Sequence, residues 1–230
     1  MTVTDHPASV RLVLASASPA RLETLRRAGV EPTVLVSTVD EDRAVAEAKS
    51  RYGWLEPVDV ALLLARAKAE NVAGRGEQAA LVLGCDSVLE IDGEVHGKPG
   101  NVTEATQRWR RMRGRSGVLH TGHWLVDDRP NGTGATLGAT ASTTVHFAQL
   151  SDAEIDAYVT TGEPLLVAGG FTIDGLGGPF VTSIEGDHHN VVGLSLPLLR
   201  DLLGQVEVAW FDVAGRRRDR DDLSVGERSA

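Results

Sequence analysis

The chain predicts an α/β fold: a mixed β-sheet flanked by helices, arranged as two lobes around a cleft. Three observations carry this. Strand-like and helix-like segments alternate in the first third of the chain, strand pairs dominate the middle, and 230 residues with 42% hydrophobic and 24% charged side chains suffice for a sizeable core. The expected division is a flexible N-terminus over 1–10, one folded domain over 11–212 and a disordered charged tail over 213–230.

The elements follow in order. Arg11–Ala15 (RLVLA) is a short apolar strand. Ser18-Pro19 opens a helix, because Ser is a favoured N-cap and Pro suits the first turn. Leu22, Leu25 and Ala28 mark its apolar face and Gly29 ends it. Thr33–Val39 reads as a second strand, and Val58–Val72, rich in Ala and Leu, as a helix. Leu81–Cys85 is a third strand, and Ser87–Ile91 and Glu94–His96 form a hairpin about Asp92-Gly93. A helix is expected over Thr103–Met112. Strands are expected over Val118–Val126 and Thr136–Phe147, with a polar loop from Asp128 to Gly134 between them. Ser151-Asp152-Ala153-Glu154 is a capping box, so a helix runs from there to about Thr161 and stops at Gly162. Ala168–Gly178 is glycine-dense, Leu196–Leu203 is a short helix, and from Gly215 the chain is charged and almost free of apolar residues.

Composition removes several functions. The net charge is −9, and the basic excess that duplex binding draws on is missing, so no nucleic-acid partner is expected. No apolar run approaches the ~20 residues of a membrane span, and Met1–Ser9 lacks the pattern of a signal peptide. The expectation is a cytoplasmic protein without membrane association. Cys85 is the one cysteine, which excludes an internal disulfide and a multi-cysteine zinc site. His188-His189 has no zinc frame around it, Ser16 and Ser18 are not in a G-x-S-x-G elbow, and the glycines of 169–178 do not open a βαβ unit.

Four groups remain as candidates for chemistry. Ser16-Ala17-Ser18-Pro19-Ala20-Arg21 joins a strand to a helix, and the start of a helix offers amides and partial positive charge to a phosphate. Arg21 stands where a self-capping helix carries Glu or Gln, and its planar fork suits phosphate oxygens; the alternative is an ordinary cap beside a solvated Arg. Asp86 lies inside the apolar run LVLGCDSVLEI, where an unpartnered carboxylate is costly. It either bonds to nearby amides or serves to hold a cation or to orient water. Asp40-Glu41-Asp42 is a solvated loop or a metal-binding group. Lys68 and Lys98 are surface lysines or phosphate ligands.

In order along the chain, LVLASASPARLETL (12–25), VDED (39–42), LLARAKAENV (63–72), LGCDSVLEIDGEVHGKP (83–99), HTGHWLV (120–126), YVTTGEPLLVAGGFTIDGLGG (158–178) and IEGDHHNVVGLSLPLL (184–199) resemble the Maf family of nucleoside triphosphate pyrophosphatases. The resemblance spans roughly residues 11–203 and rests on the ordered set. It implies the inosine-triphosphatase-like Maf fold and a hydrolase acting on phosphorus-containing anhydrides. Such a nucleotide diphosphatase cleaves nucleoside triphosphates between the α- and β-phosphates to a monophosphate and pyrophosphate. It further implies a divalent cation (Mg2+ or Mn2+), a cytoplasmic location, a homodimer, and house-cleaning of non-standard or modified nucleotides or a link to septum formation.

Carried over by position, Asp86 matches the family's proton acceptor for water. Ser16, Ser18, Arg21, Lys68 and Lys98 match its substrate-binding segments, and Glu41 with Asp86 the metal-binding acids. Whether Asp86 is base, metal ligand or both stays open. Ala20, Ser87 and Asp174 stand at the positions that set base preference. The thymidine- and uridine-triphosphate branch has Arg, Thr and Gln there, and the methylated-guanosine branch Trp, Gln and Glu, so this chain matches neither. The rival functions are a nucleotide-binding regulator of division without essential catalysis, and a broad inosine- or xanthosine-triphosphate hydrolase.

Overall fold

The computed structural model describes residues 10–75 and 79–215. The segment expected to be flexible (1–10) and the charged tail (213–230) lie outside the described residues, except for 10 and 213–215. The element order is β1 (Leu12–Leu14), α1 (Pro19–Arg27), β2 (Thr33–Val34), α2 (Glu41–Tyr52), α3 (Pro57–Ala73), β3 (Leu81–Ile91), β4 (Glu94–His96), α4 (Val102–Met112), β5 (Ser116–Asp127), β6 (Thr136–Phe147), α5 (Asp152–Thr160), β7 (Val181–Glu185), α6 (His188–Val192), α7 (Leu196–Gln205) and α8 (Trp210–Val213). Among the described residues no helix is long and apolar enough to cross a membrane.

One mixed sheet of order β2-β1-β3-β5-β6-β7 organises the molecule, with β4 paired to the end of β3. β2, β1 and β3 run parallel, and β3, β5, β6 and β7 antiparallel. The third strand is longer than the sequence predicts: Leu81–Ile91 is continuous through Asp86 and pairs with β5 from Leu81↔Asp127 to Glu90↔Val118. The second is shorter. Only Thr33 and Val34 pair with β1, because the chain of β1 leaves the sheet after Ala15.

The two largest hydrophobic clusters hang on the same long strands. One gathers Leu14, Leu25, Leu83, Leu125, Leu194, Leu199 and Leu203 beneath α1 and α7. The other gathers Leu89, Trp109, Met112, Leu119, Phe147 and Tyr158 beneath α4 and α5. In it the Trp109 ring meets Phe147, Tyr158 and Phe180 edge-on at 5.7, 5.3 and 5.9 Å, a favoured arrangement of aromatic quadrupoles. Asp86 sits on β3 between them.

Helix α3 lies directly on the strands. Its Ala61, Ala65 and Ala69 are fully buried at a spacing of four, which puts them on one helix face. Opposite them stand glycines: a Cβ on Gly84 would come within 2.2 Å of the Ala65 carbonyl oxygen, and one on Gly122 within 2.3 Å of the Ala61 carbonyl oxygen. Small residue against no residue lets the two backbones touch.

Asp127 closes the far end of β5. Its buried carboxylate accepts from Arg129 Nε (2.7 Å) and Nη2 (2.9 Å), Thr133 N (2.7 Å) and Thr133 Oγ1 (2.9 Å). The Arg129 guanidinium and the Thr133 donors hold this carboxyl well below the ordinary carboxylate range. A depressed pKa contributes stability above the unfolded value of about 4, lost as pH falls through the folded value. Asp127→Asn is therefore expected to cost about 1.5–3 kcal/mol in urea unfolding at pH 7, a cost that shrinks progressively as pH falls below about 4 and disappears only below the strongly depressed folded value.

Candidate active site

The site forms where β1 stops and β3 continues. Ala15 still bonds to the Leu83 carbonyl (2.8 Å); the chain then leaves the sheet, and Ser16 and Ser18 turn it into α1. The Ser16 hydroxyl accepts the Ser18 amide (3.2 Å), and Ser18, the N-cap, accepts the Arg21 amide (3.4 Å).

Arg21 is buried and faces inward. Its Nε donates to the Gly193 carbonyl (2.7 Å), Nη1 to Ser16 Oγ (3.0 Å) and the Cys85 carbonyl (2.8 Å), and Nη2 to Ser87 Oγ (3.0 Å). Four of its five N–H groups thus hold protein acceptors. The chain of bonds continues: Thr121 donates to the Asn190 carbonyl (3.1 Å), so the Ser87 hydroxyl donates to Thr121 Oγ1 (2.9 Å) while accepting from Arg21. This buried network ties α1, β3, β5 and α6 together.

Strand alternation sends Asp86 to the opposite face of β3, toward α3. There Lys68 Nζ touches Asp86 Oδ1 at 2.5 Å and Glu41 Oε1 at 2.8 Å. The Asp86 and Lys68 side chains are each 10% exposed and Glu41 is 52% exposed, so the cluster leads from the interior to solvent. Burial pushes the Asp86 carboxyl above the ordinary range, and the charges of Lys68 and Arg21 draw it partly back. The glycine contact of α3 with β3 sets this geometry. Lys68 lies almost one turn beyond Ala65, and Asp86 two residues beyond Gly84 on the same strand face. Cys85 is a buried free thiol whose pKa burial pushes up to about 12, which leaves it protonated and unreactive.

A cavity of about 210 Å³ opens beside the first turns of α1, lined by Ala20, Thr24, Asp174, His188, His189 and Val192 among others. Two of the three positions expected to set base preference, Ala20 and Asp174, share it. The third, Ser87, lies beneath in the Arg21 network.

The structure brings Ser16, Ser18, Arg21 and Ser87 together on one side of β3, and Asp86, Lys68 and Glu41 on the other. Lys98 is exposed and has no ion pair among the described residues. Glu41 is not in a loop. Asp40 caps α2, accepting the Arg43 amide at 3.0 Å, and Glu41 and Asp42 occupy the first turn, where the helix dipole favours acids. Thr121, His123, Asn190 and Gly193 are site residues that the sequence reading passed over. His123 is buried, which lowers its pKa to about 4, and its neutral ring accepts the Ser195 amide at 2.8 Å. Only the alternation of His120-Thr121-Gly122-His123 along a strand hinted at inward polar groups.

The sequence model of the family described as Maf-like protein matches residues 11–206. Among curated relatives, nucleoside triphosphate pyrophosphatase of Leifsonia xyli is 54% identical over 90% of this chain and 98% of its own. The protein of that name from Salinispora tropica is 57% identical over 86% of this chain and 85% of its own, and that from Streptomyces avermitilis 53% over 90% and 95%.

Proposed function

The chain belongs to the family of Maf-like proteins, and on that premise we propose that it is a nucleoside triphosphate pyrophosphatase. It hydrolyses the anhydride between the α- and β-phosphates, giving a nucleoside monophosphate and pyrophosphate. The observation that carries this is the buried Asp86 carboxylate, which adjoins the Cys85 carbonyl held by Arg21 and is joined through Lys68 to exposed Glu41. Phosphoryl transfer needs cations and donors around a polyphosphate and a carboxylate that positions water, and both lie within one strand's width here.

The roles follow from the contacts. The start of α1, Ser16 and Ser18 receive phosphate oxygens, and Arg21 keeps one N–H for them while fixing Ser16 and Ser87. Lys68 donates to phosphate and holds Asp86 oriented; Lys98 is assigned to the polyphosphate by its family position alone, not by a contact. Asp86 positions or deprotonates the attacking water. A carboxyl raised by burial accepts a proton more readily than an ordinary aspartate. Ala20, Ser87 and Asp174 shape the base preference.

Two carboxylates that share one ammonium fit a hard divalent cation. Magnesium is commonly held by one or two carboxylates together with substrate phosphates, so Asp86 and Glu41 would hold it. Such a cation would neutralise charge on the leaving pyrophosphate.

A pyrophosphate-release assay over a panel of nucleotides tests the whole reading. Release is expected with Mg2+ or Mn2+ and is lost on chelation with EDTA. Glu41→Gln should raise the half-saturating Mg2+ concentration roughly tenfold or more. Tight nucleotide binding without release would instead favour the regulatory function.

A further inference from the structure

Glu163 is tied to none of the phosphate-binding or acidic groups, yet four donors converge on its carboxylate. Oε1 accepts from the Tyr158 hydroxyl (2.8 Å), the Thr172 hydroxyl (2.6 Å) and the Gly177 amide (3.0 Å), and Oε2 accepts from the Leu176 amide (3.0 Å). Three of these donors belong to one glycine-dense loop, 171–178, which is wrapped tightly around the acid. A Cβ on Gly175 would lie 2.6 Å from Glu163 Oε2, and one on Gly177 would lie 2.4 Å from the Tyr158 hydroxyl. The same loop carries Asp174 into the cavity beside Ala20 and His188. Ala20 belongs to the first turn of α1, so this cavity borders the turn to which the proposed function assigns the phosphates.

We propose that Glu163 is a positioning residue for substrate: it fixes the 171–178 loop so that Asp174 is held against the non-phosphate end of the nucleotide. The proposal rests on the nucleotide reading of the site. Tyr158 anchors Glu163 in turn, since its ring is packed edge-on against Trp109 at 5.3 Å and cannot drift. A glutamine at 163 keeps one acceptor but turns an NH2 group toward amides that need acceptors.

The test uses the full chain and measures kcat and KM for pyrophosphate release from five nucleoside triphosphates. Inhibition by inorganic tripolyphosphate, which has no base, is measured alongside. Glu163→Gln should raise KM for the best nucleotide about three- to tenfold, narrow the spread between best and worst, and leave kcat and tripolyphosphate inhibition within about twofold. Tyr158→Phe, which keeps the core ring, should move KM in the same direction by up to about threefold and carries the test if the Gln variant does not fold. Asp174→Ala should add little in the Glu163→Gln background, because both act through one loop. An equal loss on every nucleotide with KM unchanged, or additive effects in the double variant, would overturn the proposal.

If the wild-type chain releases no pyrophosphate, the functional reading fails separately. Calorimetric binding of nucleoside monophosphates and tripolyphosphate then decides. Weaker monophosphate binding alone in Glu163→Gln supports the proposal, and unchanged binding, or no nucleotide binding at all, overturns it.

Discussion

Asp86→Asn is expected to lower pyrophosphate release by about two to four orders of magnitude, the range of a lost general base. The substitution preserves shape and keeps one acceptor toward Lys68, but the neutral amide can neither take a proton from water nor hold a cation by charge. Nucleotide binding should persist within a few-fold, because Ser16, Ser18 and Arg21 stand on the other side of β3 with an independent set of bonds. Stability should change little: the variant removes a buried charge whose desolvation is costly, and Lys68 keeps Glu41. Turnover and calorimetric nucleotide affinity measured on the same preparation check both halves. Near-normal turnover would remove Asp86 from the reaction.

Gly84→Ala tests the frame rather than the chemistry. One added carbon would meet the Ala65 carbonyl at 2.2 Å and the Ala69 amide at 2.8 Å, both backbone atoms of α3. Neither can rotate aside, so the helix must shift. Overpacking of this kind costs about 1–3 kcal/mol, with the upper end expected here. The shift also carries Lys68 away from Asp86, so turnover should fall even in the fraction that remains folded. Gly204→Ala is the control. Gly204 lies within α7 with nothing near its Cβ position, and that change should be neutral or stabilise by up to about 1 kcal/mol. Urea unfolding and turnover per folded molecule separate the two effects. Equal behaviour of the two variants would mean that α3 does not depend on this close approach.

The helices with strong caps were legible in the sequence. Ser18-Pro19 and the box at Ser151–Glu154 start α1 and α5 as expected, and the capping box closes on both sides. The acid in the apolar run LVLGCDSVLEI was legible for the same reason: burying an unpaired carboxylate is costly, so a partner had to exist, and that partner is Lys68. What stayed hidden depends on distant partners. Helix α2 begins within Asp40-Glu41-Asp42, whose three acids look like repulsion in a loop but are a cap and a dipole-stabilised first turn. β7 is a short edge strand whose residues are mostly exposed, so hydrophobic alternation is weak there. The Arg21 network needs carbonyls from residues 85 and 193, and carbonyls leave no mark in a sequence. Lys98 matches by position, but among the described residues its exposed side chain makes no bond that ties it to the cluster.

Leu83 and Leu89 point into different cores, yet both hang from β3, with residue 86 midway between them. The two clusters therefore share one continuous strand. Moving one cluster relative to the other means twisting a ribbon of three laddered strands. A fault in either half is transmitted along that ribbon straight to its midpoint.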